Sequence, residues 1–173
     1  AIPNTLIPSG TNVLVRLNAN NQIADTAHLY MGRQATVDFG GFYDTVGSLW
    51  SGYQNCHINF GVGGYLTIGA DNGSSSFEGI ITGTGFAGGY TLRKIGTGTI
   101  ELTGNNTYLN QTRVDAGTLL IQGSQPQSPL VISSGGTAGG RGTVGDISCA
   151  GNLIPGDDYT MWPSAPRANT LTC

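Results

Sequence analysis

Two histidines, three cysteines and a few acids and aromatics are the residues of this chain with any claim to chemistry, and their spacing limits what each can do. His28 and His57 lie 29 positions apart in strand-like runs. Neither belongs to a His-Glu-x-x-His metal pattern, and there is no Gly-x-Ser-x-Gly elbow. Both read as solvent-facing or hydrogen-bonded strand residues. Gly83-Thr84-Gly85-Phe86-Ala87-Gly88 and Gly140-Arg141-Gly142-Thr143-Val144-Gly145 satisfy the glycine spacing of a dinucleotide loop. A phosphate-binding loop needs a helix directly after it, and a β-rich run follows each of these. Polysaccharide cleavage needs clustered acids or a base, yet the acids are scattered, and the adjacent pair Asp157-Asp158 reads as solvated turn. The sequence assigns no catalytic, metal or cofactor residue, and no cofactor.

Binding chemistry has more candidates. Tyr43, Trp50 and Tyr53, with Phe42 beside them, could form an aromatic patch that stacks on sugar rings, although packing between coils competes for at least half of them. Cys56, Cys149 and Cys173 allow at most one internal disulfide. A Cys149–Cys173 bridge would pin the chain's end to its body, worth about 3 kcal/mol of unfolded-state entropy. The alternative is that Cys56 and Cys149 are small buried apolar residues. Asn72, Asn105 and Asn110 open formal glycosylation sequons, in a chain so rich in Asn and Thr that chance supplies them.

The elements that must position these residues are strands. In a chain of 173 residues with 29 glycines, 38% hydrophobic residues and only 10% charged ones, the apolar residues come in short β-branched runs bounded by glycine or asparagine. A net charge of −3 offers no basic field, which excludes nucleic acid and an anionic membrane surface as partners. No run reaches the roughly 20 apolar residues of a membrane helix. Gly98-Thr99-Ile100-Glu101-Leu102-Thr103-Gly104 and Gly117-Thr118-Leu119-Leu120-Ile121-Gln122-Gly123 repeat one pattern nineteen residues apart, the length of one solenoid coil. Paired glycines recur at strand ends, and the tight hairpin signal occurs once, at Asn72-Gly73. Successive strands should therefore turn corners, each pairing in parallel with its equivalent one coil away. That stacks Ile100 on Leu119 and Leu102 on Ile121, and leaves Glu101 and Arg113 outside. A single helical turn is expected at Gln22 to Ala27.

The stretches Tyr65-Leu66-Thr67-Ile68-Gly69, Ser76 to Gly85, Leu92 to Gly123, Gly135 to Gly145 and Leu153-Ile154-Pro155-Gly156 resemble, in order, the motifs of the passenger-associated transport repeat of bacterial autotransporters. The resemblance implies a right-handed parallel β-helix, displayed on or released from a bacterial surface with its signal removed, and it implies no reaction. The expected organisation is one all-β solenoid over residues 1–156, with an irregular N-terminal segment and the repeat at 64–156. A non-repeat tail rich in proline and aromatics follows at 157–173, expected either to cap the last coil, with Trp162 packed over it, or to contact another copy.

Because a solenoid has complementary open ends, the leading expectation is a structural protein that joins copies of itself end to end in a fibre or surface layer. Ile2, Leu6 and Ile7 at one end, with Tyr159 and Trp162 at the other, are the candidate contacts. The alternative is a fragment of an adhesin that binds carbohydrate or a host surface, and a polysaccharide-degrading enzyme ranks third.

Overall fold

The computed structural model describes residues 4–156, and every element within them is a strand. β1 (Thr5–Leu6) and β2 (Leu14–Arg16) begin the chain's climb. The next coil holds β3 (His28–Tyr30), β4 (Thr36–Asp38) and β5 (Tyr43–Val46), and the one after it β6 (Ser48–Trp50), β7 (His57–Val62) and β8 (Tyr65–Ile68). β9 (Ser75–Phe77), β10 (Ile80–Thr84) and β11 (Tyr90–Lys94) follow, then β12 (Thr99–Leu102) and β13 (Gln111–Val114). β14 (Gly117–Ile121), β15 (Ser124–Gln125) and β16 (Leu130–Ile132) precede β17 (Gly136–Gly140), β18 (Thr143–Val144), β19 (Ile147–Cys149) and β20 (Asn152–Pro155).

Among the described residues the strands pair in parallel with equivalents in neighbouring coils, apart from an isolated antiparallel bridge of Gly140 with Gly156, and this makes a β-solenoid of about seven coils. One sheet runs β5-β8-β11-β13-β16-β19, a second β2-β4-β7-β10, and a third β9-β12-β14-β17-β20. The Ser51–Phe77 bridge joins β6, and with it β1 and β3, onto the β9 end of that third sheet.

The pleat sends alternate side chains inward, so each inward position becomes a column along the lumen. Ile100 pairs with Leu119, Leu119 with Ala138 and Ala138 with Leu153, while Leu102 pairs with Ile121 as the sequence pattern predicts. Arg113 is exposed and Glu101 half-buried, its carboxylate accepting from Ser76. Burying a Leu or Ile contributes about 1.5–3 kcal/mol, and these columns supply one continuous core.

Several elements differ from the sequence reading, each for a physical reason. Gln22 to Ala27 is no helix: Ile23 is buried in the lumen and the Ala27 N–H closes a turn on Ala24. The expected strand Ser76 to Ile81 bends at Gly79, where a Cβ would lie 2.4 Å from Cys56 Sγ and 2.5 Å from the Phe77 ring, so the corner packs too tightly for a side chain. Thr143 to Ser148 likewise divides between two faces. β5 escapes the pattern because Asp44 occupies an inward position; its buried carboxylate accepts the N–H groups of Gln22, Ile23 and Thr45. β17 escapes because its glycines read as corner residues, yet they stack under Gly117 to Leu120.

Candidate functional site

Outward positions on the six-stranded sheet form the most distinctive surface of the described residues. Tyr43 on β5 pairs with Tyr65 on β8, and their rings stack at 4.8 Å with 5° between planes. Tyr90 on β11 meets Tyr65 at 5.1 Å but turned by 72°, which opens the stack. A cleft of about 370 Å³ lies there, lined by Tyr43, Tyr65, Tyr90, Phe86, Gly63 and Gly89. Phe86 stands 61% exposed on the turn before β11, and Asn110 Nδ2 donates to its carbonyl.

A charged column runs beside the rings. Thr45 pairs with Thr67, Thr67 with Arg93 and Arg93 with Arg113. The Arg93 guanidinium sits 5.7 Å from the Tyr90 ring centroid, and both arginines donate through Nε to Asp115, at 2.6 Å and 2.7 Å. Burial alone would raise the Asp115 pKa, but hydrogen bonds from Ser133, Arg113 and Arg93 outweigh it and hold the carboxyl at about 2. For Arg93, burial works toward deprotonation, and the Asp115 carboxylate overrides it. Partial burial, with the neighbouring tyrosines, lifts the Tyr65 hydroxyl above its ordinary range.

The three aromatics singled out in sequence are not brought together. Tyr43 belongs to the cleft, Trp50 stacks on Tyr30 at 4.0 Å on the sheet that carries β6, and Tyr53 is exposed at a turn. Tyr65, Tyr90 and Phe86 went unseen, although Tyr43, Tyr65 and Tyr90 each open a strand of the same sheet. Of the candidate contact residues, Leu6 packs against the core and Ile7 is 57% exposed. Ile2, Tyr159, Trp162 and Cys173 lie outside the described residues. Cys149 is exposed on β19, so the proposed bridge has only one partner in view, whereas Cys56 is buried.

Inside the lumen, a hydroxyl and amide network satisfies Tyr108 and Thr112, while the buried Asn106 Nδ2 has no hydrogen-bond partner among the described residues. The Tyr108 hydroxyl bonds Thr112 and Gln125, and Thr112 bonds Ser128 in turn. Near the surface, Ser48 Oγ lies 2.5 Å from His28 Nδ1 and Asp71 Oδ2 lies 3.4 Å from that same nitrogen. A nucleophile–base–acid relay needs serine and carboxylate on opposite ring nitrogens, so these three residues do not form one. Among the described residues, no three His, Cys, Asp or Glu side chains are grouped to hold a metal ion.

The passenger-associated-transport-repeat family model matches residues 92–121, the segment from β11 to β14. An autotransporter adhesin of Brucella suis biovar 1, BmaC, is 37% identical over 97 residues, covering 54% of this chain and 3% of that protein. An extracellular serine protease of Serratia marcescens is 46% identical over 68 residues, 38% of this chain and 6% of that protein. The chain thus spans only a small part of either relative, and no solved structure matches it. Residues 92–121, which match the passenger-associated transport repeat, fold as central coils of a parallel β-solenoid.

Proposed function

We propose that this chain is a non-catalytic structural segment of a bacterial extracellular or cell-surface protein, whose coils join end to end with those of a second copy in a fibre or surface layer. The observation that carries this reading is the complementarity of the end coils. β1 and β2 pair only with β3 and β4 at one end, and β18, β19 and β20 only with β15, β16 and β17 at the other. Among the described residues, each end therefore presents unpaired parallel edges, which recruit further strands. A contact between unlike ends repeats without closing. The extracellular setting is supported by the likeness to an autotransporter adhesin and to an extracellular serine protease, and the scaffold role by the match to the passenger repeat.

Sedimentation velocity and electron microscopy of the chain, with and without residues 158–173, test the self-association. Filaments that lengthen with concentration are expected, and monodisperse monomers from both forms would contradict it. The second reading, a segment of an adhesin that binds surface carbohydrate, is favoured by the Tyr43, Tyr65 and Tyr90 cleft.

A further inference from the structure

We infer that this cleft binds an acidic carbohydrate, with a sugar ring against Tyr65 and Tyr90 and its carboxylate held by Arg93 and Arg113. The inference rests on the carbohydrate-binding reading and adds the ligand's charge, the residues that read it and the face it occupies. A volume of about 370 Å³ falls in the size range of small-ligand sites, about 300–1,000 Å³. Its walls are aromatic, and flat rings offer the apolar C–H face of a sugar a stacking surface.

Charge decides the class of sugar. Arg93 and Arg113 share one carboxylate, Asp115, so the group carries one excess positive charge on a protein whose net charge is −3. Each arginine spends its Nε on Asp115, and a guanidinium has five N–H donors in a fork that fits a carboxylate. Arg93 follows Tyr90 by three residues on β11, with its guanidinium 5.7 Å from that ring, and Arg113 is its ladder neighbour on β13, so a sugar unit seated at the Tyr90 side of the cleft brings its carboxylate to the arginines. Other features carry less. Among the described residues the cation–ring contact is at Tyr90 and not at the Tyr30–Trp50 stack, while the buried Lys94 amine has its donors occupied.

The test is a titration of the full chain with trigalacturonate, read by the tyrosine ring signals in two-dimensional NMR. The fully methyl-esterified trisaccharide, of the same shape without the charge, serves as the comparison. Saturable shifts at Tyr65 and Tyr90 are expected, with affinity at least about fivefold weaker for the ester and for Arg113→Gln. Tyr65→Ala should weaken binding about tenfold and Trp50→Ala should leave it unchanged. Arg113 is exposed, so its variant keeps the test valid even where Tyr65→Ala unfolds. Equal affinity for acid and ester would reassign the cleft to neutral sugars and overturn the inference. Shifts linear to the highest concentration would overturn it outright. Neither result bears on filament formation, which sedimentation reads separately.

Discussion

Lys94 Nζ donates across a coil boundary to the carbonyl of Ala116, 3.3 Å away, from a position inside the solenoid where the ladder neighbours are Ile68 and Val114. The same amine donates to Ile95 at 2.6 Å and Gly96 at 3.0 Å, so three carbonyls meet its three N–H groups. A charge in the lumen is thus matched to backbone acceptors that a corner would otherwise leave short of donors.

Burial lowers the Lys94 pKa to about 8, partly opposed by the Asp71 carboxylate. The unfolded chain, with an ordinary lysine, therefore holds more protons than the folded one between about pH 8 and 10.5, and stability from this residue rises with pH across that window. Thermal melting of the protein beside Lys94→Met should show the wild type gaining on the variant from pH 8 to pH 10. A constant difference would mean that the amine is not in the lumen.

Gly117 has a φ of 64°, and a Cβ there would lie 2.3 Å from the Gly96 carbonyl oxygen. Left-handed backbone and steric overlap act together, so Gly117→Ala should destabilise by at least about 2 kcal/mol in chemical denaturation. Gly88 also has a positive φ, 77°, but nothing within 4 Å of a Cβ. Gly88→Ala should cost only the conformational strain, about 1 kcal/mol.

Ile121 is fully buried and pairs with Leu102 in the lumen. Ile121→Asp places an unpaired carboxylate there and should cost more than about 3 kcal/mol, measured by thermal or urea unfolding. An unchanged melting temperature would remove this residue from the core.

Asp115 titrates at about 2 in the folded protein against an ordinary 3.8. Its contribution is present above pH 3.8 and is lost as pH falls toward 2. Asp115→Asn should therefore narrow the stability gap to wild type progressively between pH 4 and pH 2, followed by circular dichroism.

The solenoid was legible wherever apolar residues alternate between glycines, as in Thr99 to Thr103 and Thr118 to Gln122, because the period of two and the coil length of nineteen coincide there. It was illegible at β5, where the lumen takes the polar Asp44, whereas the strands that carry Lys94 and Thr112 were legible although their inward polar residues were not. Asp44, Lys94 and Thr112 hold inward positions because backbone donors, backbone acceptors and a hydroxyl network satisfy them, and part of each partner set, such as Ile23, Ala116 and Ser128, is distant in sequence. The cleft was hidden for a related reason. Tyr43, Tyr65 and Tyr90 are separated by 22 and 25 residues, so unequal coil lengths blur the period that would have aligned them.

The register of β12 against β14 bears most directly on the solenoid, since the lumen columns, the corner glycines and the tyrosine cleft all derive from parallel stacking. Nuclear Overhauser contacts between the strand backbones read it. Parallel stacking predicts contacts of Ile100 with Leu119 and of Leu102 with Ile121. Contacts of Ile100 with Ile121 and of Leu102 with Leu119 would indicate an antiparallel hairpin and contradict the fold on which every functional statement rests.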